Sequence, residues 1–239
     1  MKESGLGKKI ESLCRKSLYD FEMIDESGKI AVALSGGKDS ITMLAMLKRI
    51  LGRGFPDAEI FAIHVDGEYT CGAGVNKTFL QKFCDDLGVT LLIRKSTQKL
   101  ETLECYSCSR ERRKLIFDAA KSVGAHTIAF GHHRDDNAQT LMMNLLQKGE
   151  FAGMLPKVFM QRYNVTIIRP LIYVPEEIIR VFAVQQGFAR ISCQCPVGQN
   201  SKRKQVDHLL KEMNELFPHA RHNLSNASLL YGSDKAKQP

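Results

Sequence analysis

The sequence of 239 residues contains no uninterrupted apolar stretch approaching the ~18 residues that a membrane-spanning helix needs. Its first residues (MKESGLGKKIESLCRKSL) include basic side chains but lack the apolar segment of a secretory signal peptide. Internal repeats, low-complexity blocks and long linkers are also missing. With 44% hydrophobic and 25% charged residues, the composition excludes a mostly disordered, collagen-like or disulfide-stapled protein. These absences predict a cytoplasmic globular protein with no membrane partner.

Positive charge and cysteine are the two features that the chain has in excess. Lys and Arg number 34 against 26 Asp and Glu, a formal net charge of +8. This excess favours a polyanionic partner such as nucleic acid, although basic composition alone does not distinguish nucleic-acid binders from other basic proteins. The seven cysteines are an odd number in a chain long enough to fold without disulfides. They are therefore expected to be thiols or metal ligands.

Short apolar runs alternate with helical patterns along the chain. An amphipathic helix is predicted over 6–24 and a strand buried on both faces over 29–34. Further strands are predicted at 59–65, 89–93, 126–130 and 165–168, and helices at 40–51, 75–87, 108–123, 135–147, 175–186 and 202–216. This alternation predicts an α/β protein with a doubly wound parallel sheet, whose ligands bind at the carboxyl ends of the strands. We divide it into an N-terminal helix (1–27), a catalytic domain (28–190) and a helical C-terminal extension that contains cysteines (191–239).

A glycine-rich turn, SGGKDS, lies between the first strand and its helix. Backbone N–H groups in such a turn can close around phosphate oxygens at a helix N-terminus. The turn offers glycines for close approach, hydroxyls and a cation, at Gly36, Gly37, Ser35, Ser40 and Lys38. It is not a Walker A loop, because Asp39 follows the lysine and the glycine spacing differs. A purely structural alternative is a tight turn in which Asp39 or Ser40 caps the helix.

The hexapeptide resembles the PP-loop (SGGxDS) of the ATP pyrophosphatase superfamily, which includes N-type synthetases, tRNA thiolases and lysidine synthetases. The resemblance implies that residues 35–40 hold the departing pyrophosphate of ATP while a substrate oxygen attacks the α-phosphorus and becomes adenylated. Mg²⁺ normally accompanies such chemistry, and Asp39 is its expected partner. The resemblance also places adenine and ribose near His64, Val65 and Asp66. His64 could equally be a buried polar residue at the end of a strand.

A second polar segment, Gly131–Asp136 (GHHRDD), follows the fourth strand and opens a helix. Its paired histidines and aspartates could indicate a metal cluster, but neighbours on an extended segment point to opposite sides, and capping by Asp135 or Asp136 is a structural alternative. GHHRDDNAQT resembles the second signature of the tRNA thiolase and lysidine synthetase branches. The resemblance implies a carboxylate that coordinates magnesium or positions the base, with Asp135 favoured over Asp136. It also implies a nucleotide pocket lined by Gly131, His132 and His133.

The cysteines form two motifs, Cys105-Tyr-Ser-Cys108 and Cys193-Gln-Cys195-Pro. The first opens a predicted helix and precedes several arginines, and both features favour thiolates. Three alternatives remain open from spacing alone: a redox dithiol, a zinc site made by all four thiolates, and an iron–sulfur cluster with three cysteine ligands and one open iron.

The CxxC motif followed by basic residues, the later CPVGQNSKR and the closing RHNL together resemble the iron–sulfur-dependent tRNA 2-thiolation enzymes. In that family, two cysteines of the CxxC motif and one distal cysteine bind a [4Fe-4S] cluster whose fourth iron can hold a sulfide. The resemblance implies Cys105, Cys108 and Cys195 as ligands and leaves Cys193 as a candidate sulfur acceptor. GMLPK and IIRPLIYVPEEIIRVFA resemble the tRNA 2-thiocytidine synthetases in particular.

Two basic runs lie beside the cysteine motifs, and contact with RNA phosphates is the function predicted for them. They are Arg110, Arg112, Arg113 and Lys114, and Lys202, Arg203 and Lys204. The predicted function is an ATP-dependent tRNA sulfurtransferase that uses ATP, Mg²⁺ and a [4Fe-4S] cluster, supplied by a sulfur donor such as a cysteine desulfurase. A 2-thiouridine-forming enzyme, a lysidine-type ligase and a zinc-stabilised, non-catalytic RNA-binding protein are the alternatives. The oligomeric state is open, with a homodimer as one option.

Overall fold

The protein is built around a six-stranded sheet with helices on both faces. The computed structural model describes residues 4–25, 28–67, 75–97, 105–188 and 202–232. Cys105 and Tyr106 are described by their backbone alone. The strands are β1 (Lys29–Ala33), β2 (Glu59–Asp66), β3 (Thr90–Lys95), β4 (Thr127–Ala129), β5 (Lys157–Met160) and β6 (Val165–Ile168). The helices are α1 (Gly5–Asp20), α2 (Lys38–Ile50), α3 (Lys77–Asp86), α4 (Cys105–Ser122), α5 (Arg134–Lys148), α6 (Glu176–Gln185), α7 (Lys202–Leu216) and α8 (Ala220–Tyr231).

The strand order is β3-β2-β1-β4-β6-β5, and every pairing is parallel except that of β5 with β6. From β1 the chain moves outward through β2 to β3, and it then returns to place β4 on the other side of β1. Open α/β sheets bind ligands at such a reversal of strand order, because the connections on either side lead away from each other and leave a crevice. The two polar segments at 35–40 and 131–136 follow β1 and β4, so the topology brings them to the same crevice.

Two apolar layers sandwich the sheet. On one face, α1, α2 and α6 bury side chains such as Ile10, Leu47 and Phe182 in one cluster with strand residues. On the other face, α4 buries Phe117 against Ile128 of β4. A smaller cluster joins α5 to the C-terminal helices, with Ala138, Met142, Val206 and Leu210 at its centre. The C-terminal helices therefore pack on α5, the helix that begins within the GHHRDD segment.

The predicted fold class is confirmed, and each predicted strand and helix is present with ends that shift by a few residues. Two elements were not predicted. The edge strand β5 has four residues with no buried side chain, so its hydrophobic pattern is weak. Helix α8 is rich in Asn, Ser and His and buries Arg221, Ser225 and Ser228, which conceals its apolar face.

Within the described ranges, no helix combines the length and the apolar character needed to cross a lipid bilayer. The division at residues 27 and 190 stays a prediction.

Candidate active site

A cavity of about 460 Å³ opens at the carboxyl ends of β1 and β4. Its lining comes from the 35–40 turn, from the end of β2, from α4 and from the GHHRDD segment, through Ala33, Leu34, Ser35, Asp39, Ser40, Ile63, Val65, Arg112, Ile116, Phe130, Gly131, His132 and Asp136. Its volume lies within the range of ~300–1,000 Å³ that is typical of ligand pockets. The topology therefore joins the two sequence motifs in one concave site.

The SGGKDS turn has the geometry of an anion cradle. Gly36 adopts a φ of 84°, in the left-handed region that favours glycine. Gly37 is the N-cap of α2 and provides no side-chain cap for the helix. The Ser40 hydroxyl donates to the Gly37 carbonyl at 3.0 Å, and the hydroxyls of Ser35 and Ser40 are 3.1 Å apart. The capping alternative with Asp39 or Ser40 is therefore wrong, and the first N–H groups of α2 are left for a ligand.

Lys38 is held between two carboxylates. Its Nζ donates to Asp39 Oδ1 at 2.9 Å and lies 2.9 Å from Glu176 Oε1, at the start of α6. Burial alone would lower the pKa of Lys38, but the nearby charges of Asp39 and Glu176 outweigh it and raise the pKa above its usual value. The ammonium is consequently charged and fixed within the SGGKDS turn.

The three residues at the end of β2 divide between the two faces of the sheet. Val65 lines the cavity. His64 is 1% exposed, and its Nδ1 lies 2.9 Å from the Leu34 carbonyl, while Asp66 accepts a hydrogen bond from Lys77 at 2.7 Å. Burial lowers the pKa of His64. The structure therefore favours the reading of His64 as a buried polar residue and gives Asp66 a surface ion pair.

Of the two histidines expected to line the pocket, His132 lines the cavity, whereas His133 caps α5. The His132 ring stacks on Phe130 with 5.8 Å between centroids and accepts a hydrogen bond from Arg169 at 3.3 Å. Burial, together with the charge of Arg169, holds the pKa of His132 far below its usual value. His132 is thus a neutral, flat wall of the cavity.

His133 and Asp136 form a capping box at the start of α5. His133 Nδ1 accepts from the Asp136 N–H at 3.4 Å, and the His133 N–H donates to Asp136 Oδ2 at 3.1 Å. The other ring nitrogen, Nε2, lies 3.5 Å from Asp136 Oδ2 and 3.8 Å from Asp39 Oδ1. The His133 imidazole therefore lies between Asp39 of the SGGKDS turn and Asp136 of the GHHRDD segment.

Asp136 is an anion in this environment. Burial alone would raise its pKa, but His133, which also donates its backbone N–H to the carboxylate, and Arg203 outweigh burial and hold the pKa below its usual range. Arg203 makes the shortest of these side-chain contacts, since its Nη1 donates to Asp136 Oδ1 at 3.1 Å. Arg203 therefore joins α7 to the cavity, and its predicted contact with RNA stays a prediction.

The structure separates the two aspartates, and the predicted catalytic preference for Asp135 stays a prediction. Asp135 Oδ2 accepts the Glu176 N–H at 2.8 Å, which caps α6, and its Oδ1 lies 3.7 Å from Arg221 Nη1 on α8. Consecutive residues at the start of a helix point about 100° apart, so both carboxylates cannot face one cavity. Asp136 lines the cavity, and Asp135 connects α6 and α8 to the segment.

Helix α4 brings the CxxC motif next to the cavity. Its first residue is Cys105, the thiol of Cys108 is half-buried, and Arg112 lines the cavity one turn further on. Residues four apart share a helix face, so Cys108 and Arg112 lie on the same side of α4. Arg112 lines the cavity, and its predicted contact with RNA phosphates stays a prediction. Cys193 and Cys195 lie outside the described residues.

The remaining predicted RNA-contacting residues are exposed on two helices: Arg110, Arg113 and Lys114 on α4, and Lys202 and Lys204 on α7. Arg169 was not predicted as a site residue; it follows β6 directly and donates to His132 and to the Leu155 carbonyl. The sequence feature that could have identified Arg169 as a site residue is its position directly after a strand, where ligands of parallel sheets bind. Burial and the nearby charge of Arg113 lower the pKa of Arg169 to about 10.

The donor groups of the cavity suit a magnesium–nucleotide complex. In the described part of the chain, no cluster of three or more His, Cys, Asp or Glu side chains could hold a metal ion by itself. Mg²⁺ usually takes one or two carboxylates together with phosphate oxygens, and Asp39 and Asp136 both line the cavity. The CxxC thiolates are a donor set that iron–sulfur clusters accept.

Comparison with known proteins agrees with this geometry. The model of the PP-loop domain family matches residues 6–211. The tRNA-cytidine(32) 2-sulfurtransferase of Pelobacter propionicus is 32% identical over 237 residues, covering 95% of this chain and 87% of the relative. The Bordetella avium protein of the same name is 34% identical over 231 residues, covering 93% of this chain and 72% of the relative.

A solved structure supports the fold independently. It is described as the U34-tRNA thiolase NcsA from Methanococcus maripaludis with its [4Fe-4S] cluster, and it superimposes with a TM-score of 0.76 at 24% identity, covering 98% of this chain and 82% of that one. The matches in sequence extend over nearly the whole chain and include both motifs of the cavity. The chain therefore belongs to the PP-loop domain family and, within it, to the tRNA-cytidine(32) 2-sulfurtransferase family.

Proposed function

We propose that this protein replaces the 2-oxygen of a cytidine in the tRNA anticodon loop with sulfur, by way of an adenylated base. The observation that carries the proposal is the junction of three elements in one cavity: the SGGKDS turn, the GHHRDD segment and the face of α4 that follows the CxxC motif. Sulfur must attack the same carbon, C2, whose oxygen ATP has activated. The ATP site and the sulfur site must therefore adjoin, and we assign them to these neighbouring elements.

ATP binding is assigned to the turn and its surroundings. The triphosphate accepts hydrogen bonds from the uncapped N–H groups of α2, with Lys38 beside it as a fixed cation. The neutral His132 ring, stacked on Phe130, offers a flat apolar face. Mg²⁺ would be held by Asp39 and Asp136 and would neutralise phosphate charge.

The chemistry has two displacements. In the first, the cytidine O2 attacks the α-phosphorus, the bond to the β-phosphate oxygen breaks, and pyrophosphate leaves. In the second, a sulfur nucleophile attacks C2, the C2–O bond breaks, and AMP leaves with the original oxygen. We assign to Arg112 the neutralisation of the charge on the α-phosphate during both steps, because it lines the same cavity as the SGGKDS turn and its guanidinium can donate two hydrogen bonds to phosphate oxygens.

The sulfur site is assigned to the cysteines. Cys105 and Cys108, with Cys195, would hold a [4Fe-4S] cluster, which supplies the sulfur when it is bound. Cys193 is kept as a candidate sulfur acceptor, and a cysteine desulfurase is a suitable donor. Arg112 and Cys108 share one face of α4, so the proposed sulfur site adjoins the proposed phosphate site.

A two-part experiment tests this function. Purified protein, handled anaerobically, is incubated with ATP, Mg²⁺ and an unmodified tRNA transcript, and pyrophosphate release is measured with and without the tRNA. Release that depends on tRNA is expected; a complete lack of release would contradict adenylation. Mass spectrometry of the product nucleosides should then show 2-thiocytidine once sulfide is added, whereas 2-thiouridine or lysidine would contradict the assigned product.

The cluster is tested separately. Anaerobic protein should be brown and contain about four iron atoms per chain. A colourless protein that contains zinc alone would contradict the cluster while leaving the adenylation step testable through pyrophosphate release.

A further inference from the structure

A second concave feature, separate from the cavity, lies between α4 and the turn that joins β5 to β6. It has a volume of about 430 Å³ and is lined by Ser107, Arg110, Glu111, Lys114, Arg162 and Tyr163. We call it the α4–hairpin groove. Its lining and that of the cavity share no residue within the described part of the chain.

The groove is basic on both walls. Arg110 and Lys114 are four residues apart, so they project from the same face of α4, and both are exposed. Arg162 is also exposed and comes from the opposite wall. The one acidic lining residue, Glu111, accepts hydrogen bonds from the Ser96 hydroxyl and the Thr97 N–H at 3.2 Å each. The Glu111 carboxylate is therefore engaged by residues that follow β3. The three cations give the groove a net positive charge.

Arg162 is held in place by an aromatic floor. Its guanidinium carbon lies 5.7 Å from the centroid of the Tyr163 ring, and that ring lies 5.1 Å from the ring of Phe117. Phe117 is 1% exposed and anchors the floor in the core of the sheet. A guanidinium that stacks on a ring keeps its N–H groups for hydrogen bonding to a phosphate, and its fixed position reduces the entropy lost on binding.

We propose that the α4–hairpin groove binds the phosphate backbone of the tRNA substrate and that Arg162 contacts a phosphate there. This proposal rests on the proposed function. Ser107 lies between the two cysteines of the CxxC motif, so an RNA strand in the groove passes beside the proposed sulfur site. The lining favours RNA over an acidic protein partner, because it combines three cations with a single aromatic ring and contains no aliphatic side chain among its described residues.

The test compares charge reversals on opposite faces of the sheet. Arg162→Glu alters the groove, and Lys82→Glu is the matched control, since Lys82 is exposed on α3, which packs against the other layer. Dissociation constants for an unmodified tRNA transcript are measured between about 50 and 200 mM salt. We expect Arg162→Glu to weaken binding about tenfold at low salt and to reduce the slope of log K against log salt by about one. Lys82→Glu should stay close to the wild-type protein.

Arg162→Gln guards against misfolding, because it removes the charge without adding a carboxylate at an exposed turn. It should give the same reduction in slope with a smaller loss of affinity. If both Arg162 variants match Lys82→Glu in affinity and slope, the groove assignment is wrong, while pyrophosphate release by the wild-type protein still supports the proposed function. If the wild-type protein releases no pyrophosphate with tRNA, the proposed function fails, and the salt series still decides whether the groove binds RNA.

Discussion

The Cα of Gly131 lies against the backbone of Ser40, so closely that a Cβ added to the glycine would stand 3.1 Å from the Ser40 nitrogen and 3.2 Å from its Cα. The contact joins the first residue of the GHHRDD segment to the first turn of α2. Because both partners are backbone, neither can rotate away from an added methyl group. The two motifs are therefore held at a fixed distance on the two sides of the cavity.

We expect Gly131→Ala to lower the free energy of unfolding by about 2 kcal/mol, since overpacking forces a backbone shift. The same shift should raise the KM for ATP severalfold, because it displaces the N–H groups of α2. Gly5→Ala is the control, as a Cβ at Gly5 meets open space at the start of α1. Urea denaturation and pyrophosphate-release kinetics measure both effects, and unchanged values for Gly131→Ala would contradict the close contact.

Arg112→Gln should reduce kcat/KM for tRNA-dependent pyrophosphate release about 100-fold, the usual cost of removing one donor from a developing anion. Arg112→Lys should recover part of the loss, because it restores the charge without the planar fork. Lys121→Gln, an exposed change in the last turn of the same helix, should leave the rate near that of the wild-type protein. A loss of tRNA affinity in Arg112→Gln, with kcat unchanged, would return this residue to the RNA-binding role predicted from its sequence.

We expect Asp136→Asn to reduce activity and Asp135→Asn to reduce stability. Asp136→Asn is expected to reduce pyrophosphate release at least 100-fold, since it removes a charge from the cavity lining. Asp135→Asn should lower the free energy of unfolding by about 2 kcal/mol, because it removes the buried charge that accepts the Glu176 N–H and lies near Arg221, which keeps only its pair with Asp207, while kcat changes little. Denaturation curves and kinetics on both variants separate these outcomes. An inactive Asp135→Asn protein of normal stability would show that the sequence-based preference was right.

His64 predicts a pH dependence of stability. Its pKa is lowered by burial from the usual value of 6.5, so the unfolded chain binds a proton that the folded chain does not bind just below that pH. Stability from this group is therefore fully present above pH 6.5 and decreases as the pH falls from there toward the lower pKa of the folded protein. His64→Gln keeps a donor for the Leu34 carbonyl and removes the titration. The free energy of unfolding measured between about pH 7 and pH 5 should fall less steeply in this variant, by up to about 1.4 kcal/mol per pH unit; equal slopes would contradict the prediction.

The fold and the place of the site follow from local patterns in the sequence. Strands such as β1 are short apolar runs, and the polar segments that follow them mark the crevice at the carboxyl ends of the sheet. The choice between Asp135 and Asp136 could not be made in this way, because it depends on where α5 begins. A shift of one residue turns the side chain by about 100°.

The roles of Arg112, Arg169 and Arg203 also depend on contacts between distant parts of the chain. Arg203 is 67 residues from Asp136, and nothing in a run of basic residues marks which member turns inward. Helix α8 was missed because its inward face is polar: Asn137 of α5 donates to the Ser225 hydroxyl at 3.0 Å and accepts from the Ser228 hydroxyl at 3.1 Å. Such a face has no hydrophobic period by which a helix can be recognised.

The pair of Arg203 with Asp136 has a consequence for the order of events during synthesis on the ribosome. The sheet residues and the GHHRDD segment leave the exit tunnel first, and at that stage Asp136 is a carboxylate without its guanidinium partner. The partner arrives only when α7 has been translated and has docked on α5. A nascent chain that stops before residue 203 therefore carries every residue that lines the cavity, but the charge of its Asp136 is not yet balanced by Arg203, so the electrostatics of the cavity are completed late in translation.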